Sequence, residues 1–279
     1  MKKANIIILA GQSNAVGVGF TKYLPKTFNS DVITKIRAGY DKILISYMSH
    51  DIVSDGFVKT SVNCTERSKD TLGPEVGIAK ALDEKYPNEE FFIIKCAYGG
   101  TNMCNDWRSP SSGVPFCEEL TAEPAKAIAS PEFRFPGWCY NTFIKLLRSS
   151  LDELCQKGYE PRVIGFCWMQ GESDACSIET LEPYIFRYDC MLKDLRAAFP
   201  NLFDECTYVD AGVSTIWAHY EKMNEYKKEY ALAQGYRYLD TVGAGLDTLT
   251  EPEEAPDTYH YDCASTVKLG ELFAENITL

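Results

Sequence analysis

Three residues of this chain have the types and spacing that acyl transfer requires: Ser13, Asp257 and His260. A serine hydroxyl is a weak nucleophile until a base takes its proton, and histidine is the side chain whose ordinary pKa lies near neutrality. Asp257 stands three residues before His260. In a turn or a helical start that spacing lets the carboxylate reach the imidazole Nδ1, fixing its tautomer and stabilising the imidazolium. The other histidines are weaker candidates. His219 lies in the helical pattern TIWAHYEKMNEY with no acid three residues before it, and His50 precedes Asp51 in an irregular stretch from which it could touch substrate. Asp262 and Glu254 are alternative acids, ranked below Asp257.

A tetrahedral intermediate also needs donors aimed at its oxyanion. Candidates are the amide of Ser13, an amide of the pair Gly99–Gly100, where no Cβ obstructs approach, and the side chain of Gln170. Ser13 itself follows the apolar run Ile6–Leu9 and the tight turn Ala10-Gly11, and so is expected where a buried strand ends. A phosphate loop would need a lysine after its last glycine, and a dinucleotide loop a third glycine after Gly17-Val18-Gly19. Neither is present, and Ala15 stands where the α/β-hydrolase elbow needs glycine.

Positioning such groups falls to strands expected at Asn5–Ala10, Phe91–Cys96, Val163–Met169 and Thr207–Ala211, with a further one near Ile43–Met48. Helical spacing predicts helices over Pro74–Tyr86, Tyr140–Lys157, Leu181–Phe199, Thr215–Gln234 and Ala264–Asn276. This alternation predicts an α/β sandwich around a parallel sheet. In such sheets ligands bind beyond the carboxyl ends of the strands. There the chain places Gly11–Asn14, Ala97–Asn102 and Gln170–Asp174, with Asp257–His260 just before the last helix. The proline-rich stretch Thr101–Gly137 is expected to be an ordered surface excursion.

The bulk of the chain narrows the function classes. Its 279 residues are read as one domain with a large core. A net charge of −12, from 40 acidic against 28 basic residues, argues against a nucleic-acid partner. No apolar stretch approaches the roughly 18 residues of a membrane span. Eleven scattered cysteines without Cys-x-x-Cys, several inside predicted elements (Cys96, Cys167, Cys190), read as small buried hydrophobes of a reducing compartment. Three histidines without His-Glu-x-x-His give no support for zinc. Met1-Lys2-Lys3 runs straight into the first strand without an export signal, so the expected compartment is the cytoplasm unless a signal has been removed. Oligomeric state is not legible.

The blocks GQSN (Gly11–Asn14), LGPEVGIAKAL (Leu72–Leu82), GGTNM (Gly99–Met103) with Trp107 following, WMQGESDA (Trp168–Ala175) and DTYH (Asp257–His260) resemble the SGNH hydrolases. Within them they resemble the branch of sialate O-acetylesterase-like and family 6 acetylxylan esterases. The resemblance implies a flavodoxin-like α/β/α fold, a Ser13–His260–Asp257 triad and an oxyanion hole from Ser13, Gly99 or Gly100, and Gln170. Gln12 and Asn14 would support the nucleophile, while Glu172 and Asp174 would brace the active-site loops through backbone amides. It implies removal of acetyl groups from xylan oligosaccharides or sialic acid through an acetyl-enzyme, with no metal or organic cofactor. Tyr98, Trp107, Trp138 and Tyr140 are the aromatic candidates for holding a sugar. The competing readings are a lipase or thioesterase of the same superfamily and a carbohydrate-binding protein on an inactive scaffold.

Overall fold

Each apolar run expected as a strand pairs into one sheet in a computed structural model of the chain, which describes residues 1–50, 52–62, 70–114, 134–248 and 250–278. The strands are β1 (Lys2–Gly11), β2 (Gly19–Phe20), β3 (Tyr40–Ser49), β4 (Ile52–Val53), β5 (Val58–Thr60), β6 (Thr71–Leu72), β7 (Phe91–Ala97), β8 (Tyr159–Met169), β9 (Thr207–Ala211) and β10 (Arg237–Leu239). The main sheet runs β10-β9-β8-β1-β7-β3-β4, with β5 also on β3, and is parallel from β10 to β3. Among the described residues only β4 and β5 run antiparallel to β3, and β2 pairs with β6 apart from this sheet. β10 and the two short antiparallel strands are too brief to stand out in the sequence.

The central strand β1 reads as a continuous apolar run because both its faces are covered. Ile6 and Ile8 enter one buried cluster and Ile7 and Leu9 the other. The first cluster is closed by α5 (Trp138–Gln156), α7 (Tyr184–Ala198) and Met223 of α8 (Tyr220–Gln234). The second is closed by α1 (Ser13–Val16), Leu24 of α2 (Leu24–Thr27), α3 (Ser30–Ala38), α4 (Pro74–Lys85) and α9 (Cys263–Asn276). The result is a three-layer α/β/α sandwich. α4 and α9 cross closely: a Cβ on Gly77 would lie 1.9 Å from the Val267 carbonyl oxygen, and one on Gly270 1.9 Å from that of Pro74.

Two expected helices change shape. Leu181–Phe199 is two helices, α6 (Ile178–Leu181) and α7, because Pro183 cannot donate within a helix and stands instead at the N-terminal cap of α7. Thr215–Gln234 becomes helical only at Tyr220, leaving Trp217 and His219 on the loop after β9. The described cysteines are free thiols, with Cys96, Cys139, Cys167, Cys190 and Cys263 buried. Of the proline-rich excursion, residues 115–133 lie outside the described residues. Among the described residues no helix is long and apolar enough to cross a membrane.

Candidate active site

The end of β1 explains why its apolar run stops at glycine. Gly11 has φ +145°, and a Cβ there would stand 1.8 Å from the carbonyl oxygen of Met169 on β8. Gln12 N–H then donates to that same carbonyl at 2.9 Å, and the chain turns into α1 with Ser13 as its first residue. Amides in a helix's first turn have no carbonyl four residues back, so that of Ser13 suits an anion.

Ser13 is partly exposed, while its neighbours Gln12 and Asn14 are buried. Gln12 accepts the Ser173 amide at 3.2 Å and donates to the Ser173 hydroxyl at 3.3 Å. Asn14 donates to Glu172 Oε1 at 2.9 Å and accepts the Tyr261 amide at 3.0 Å. One side chain thus joins the residue after Ser13 to the residue after His260. His260 Nδ1 donates to Asp257 Oδ2 at 2.6 Å. The competing acids have other work: Asp262 caps α9, accepting the Ser265 amide, and Glu254 pairs with Lys22. Burial pushes the Asp257 carboxyl up, but the hydrogen bonds from His260 and the Tyr259 amide, with the imidazole's charge, outweigh it and hold it below the usual range.

On the other flank, β7 ends in Tyr98-Gly99-Gly100. A Cβ on Gly99 would come 3.4 Å from Ser13 Cβ and 2.7 Å from His50 Nε2, and the Gly99 amide donates to that nitrogen at 3.2 Å. His50, held at φ +50° just past β3, therefore belongs to the site and is not a remote loop residue. Gly100, at φ +65°, has open space on its Cβ side.

Two expectations need correction. Gln170 is fully buried and its Nε2 donates to Asp174 Oδ2 at 2.7 Å, Gln12 Oε1 at 3.2 Å and the Thr101 carbonyl at 3.3 Å. Three acceptors fix the amide's orientation and leave no donor for an oxyanion, so Gln170 braces the loops. The aromatics are also misassigned: Tyr98, Trp107 and Trp138 are fully buried, and Tyr140 nearly so. Tyr98 packs on Trp138 with centroids 4.8 Å apart and Trp107 on Trp168 at 5.0 Å, which makes them core. Their indole N–H groups bond inward, Trp107 to Thr101 at 3.0 Å and Trp138 to Asp106 at 2.7 Å.

Beneath these loops lie buried charges, of which Glu172 and Asp174 were flagged by the sequence and two ion pairs were not. Asp174 accepts the Met103 amide, and burial pushes its pKa up to about 6 despite the Gln170 bond. Glu172 is raised too, chiefly by burial, against the opposing hydrogen bonds from its own backbone amide and the Asn14 side chain. Lys95 bonds Glu75 and the Val16 carbonyl at the end of α1, each at 2.6 Å. Lys227 pairs with Asp210 at 2.9 Å and donates to the Gln170 carbonyl. Both ion pairs are fully or nearly fully buried. Lysine reads as a surface residue in sequence; only its place inside an apolar strand hinted at Lys95. Among the described residues no cluster of His, Cys, Asp or Glu is placed to hold a metal ion.

A family model described as "Carbohydrate esterase, sialic acid-specific acetylesterase" matches residues 3–278. Among solved structures, a protein from Arabidopsis thaliana is similar with TM-score 0.63 at 20% identity, over 98% of this chain and 97% of that one. NanS is similar with TM-score 0.62 at 16% identity, over 98% and 96% of the two chains. A carbohydrate acetylesterase from Xanthomonas citri is similar with TM-score 0.58 at 14% identity, over 97% of this chain and 54% of that one. At such identities the likeness shows the fold. No match is found among curated proteins.

Proposed function

Since the chain belongs to the sialic acid-specific acetylesterase family of carbohydrate esterases, and is thereby a carbohydrate O-acetylesterase, we propose that it works as a serine esterase through an acetyl-enzyme. Ser13 Oγ attacks the acetyl carbonyl as His260 takes its proton, with Asp257 holding the imidazole and stabilising its charge. The negative charge that develops on the carbonyl oxygen is met by the Ser13 amide and by the amide of Gly100, since that of Gly99 is taken by His50. His260 then hands the proton to the departing sugar oxygen, and water, activated by the same imidazole, releases acetate. All of this falls to one esterase domain spanning the chain.

The observation that carries this reading is the pairing of two contacts: His260 Nδ1 to Asp257 Oδ2 at 2.6 Å, and Asn14 Oδ1 accepting the Tyr261 amide at 3.0 Å. The first forms a base with its orienting acid, and the second ties that base's segment to the nucleophile's. The test is hydrolysis of p-nitrophenyl acetate by wild type and Ser13→Ala. The expected loss is about four orders of magnitude or more in kcat; turnover that survives the substitution overturns the assignment. The family's description favours an O-acetylated sialic acid as substrate over acetylated xylan oligosaccharides. Acetate release from each separates them, and preference for acetate over octanoate esters separates both from a lipase.

A further inference from the structure

With Tyr98, Trp107 and Trp138 in the core, the question of what meets the sugar is open, and the chain neighbour of His260 answers it. Tyr259 is 56% exposed, the large exposed apolar side chain that lies within the Asp257–His260 segment. Its position is fixed by the group that orients the base. Asp257 Oδ1 accepts the Tyr259 amide at 2.8 Å while Oδ2 accepts His260 Nδ1, so one carboxylate sets both residues. The ring is backed by Trp217, with centroids 5.6 Å apart and planes at 43°. Trp217 in turn packs on the buried cluster beneath it, and its indole nitrogen is buried without a hydrogen-bond partner, so packing holds it there. An exposed ring on a rigid aromatic backing loses little entropy when a ligand covers it.

Proton transfer locates the ligand. A leaving oxygen protonated by His260 must come within about 2.6–3.2 Å of the imidazole nitrogen, which brings the sugar ring bearing it against the residues flanking that imidazole. A pyranose presents apolar C–H faces that suit the electron-rich face of an aromatic ring. We infer that Tyr259, supported by Trp217, is the platform on which the leaving sugar stacks, a subsite for a pyranose ring next to the acid that releases it. This inference rests on the serine-esterase reading.

The test compares an O-acetylated sugar with ethyl acetate, whose leaving group has no ring to stack. Tyr259→Ala should lower the ratio of kcat/KM for the sugar ester to that for ethyl acetate about tenfold, the size of one aromatic contact, chiefly through KM. Tyr259→Phe should restore the ratio, because the ring and not the hydroxyl is required. A ratio unmoved by Tyr259→Ala, including a parallel fall for both esters, overturns the platform while leaving the esterase reading intact. Wild type inactive on both esters overturns that reading, and the platform with it.

Discussion

Asp257 and Asp174 lie in the same site, and their carboxyls are pushed in opposite directions. Asp257, partly exposed and bonded by an imidazole and an amide, is held low; its contribution to stability is present above the unfolded pKa and lost as pH falls through the folded one. Asp174, buried, is raised from 3.8 to about 6. Between those values the native state keeps a proton that the unfolded chain releases, so this group's contribution falls as pH rises through the window. Asp174→Asn removes the titration. Urea unfolding at pH 4 and pH 7 should show the variant gaining up to about 3 kcal/mol relative to wild type between the two; a difference that does not move with pH rules out this account. Residues in this site differed in how legible they were. Asp257 and His260 are three apart, so their contact follows from local geometry. Gln170 was misjudged because its donors are committed where the sequence does not show it, to Asp174 four residues on and to Gln12 and Thr101 far away in the chain.

Elements position the nucleophile through backbone contacts anchored by buried charge. β1 delivers Ser13, and Lys95 of β7 reaches across to the carbonyl that ends α1 while pairing with Glu75 in the first turn of α4. Burial pushes the Glu75 carboxyl up, and the lysine beside it opposes that shift. Removing only the cation leaves an uncompensated charge in the core. Lys95→Met should therefore cost about 3–5 kcal/mol in chemical denaturation, and adding Glu75→Gln should recover most of it. If the single variant is as stable as wild type, the pair is not what anchors α1. The strands themselves were legible because parallel strands buried on both faces read as unbroken apolar runs. The start of α8 was not, because the loop before it shares the helix's apolar spacing and differs only in tertiary surroundings.

For the molecule as a whole, the net charge of −12 sets how a charged substrate approaches. A sialic acid carries a carboxylate and meets like-charge repulsion, which salt screens over a Debye length of about 10 Å at 0.1 M. With the acetylated sialic acid, kcat/KM should rise as ionic strength increases from about 10 to 150 mM, while a neutral acetylated xylan oligosaccharide should show no trend. A flat response for the sialate would mean that the field at the site is locally neutral or positive despite the net charge. The sandwich supports this site by crossing α4 on α9 at Gly77 and Gly270, which seats the helix that begins three residues after His260.

By itself the sequence determined the alternation of strands and helices, the placing of Ser13 and the glycine pair at the carboxyl ends of strands and of Asp257–His260 just before the last helix, and the family resemblance that the matching family model shares. These features are local or periodic, and hydrophobic spacing and short motifs record them directly. Tertiary structure alone decided that Gln170 is a brace, that His50 caps the Gly99 amide, that Lys95 and Lys227 are buried, and that Tyr259 and not Trp107 or Trp138 is exposed. The reason is the same in each case. Burial and hydrogen-bond commitment depend on which distant segments meet, and a residue's type and neighbours in sequence do not record that.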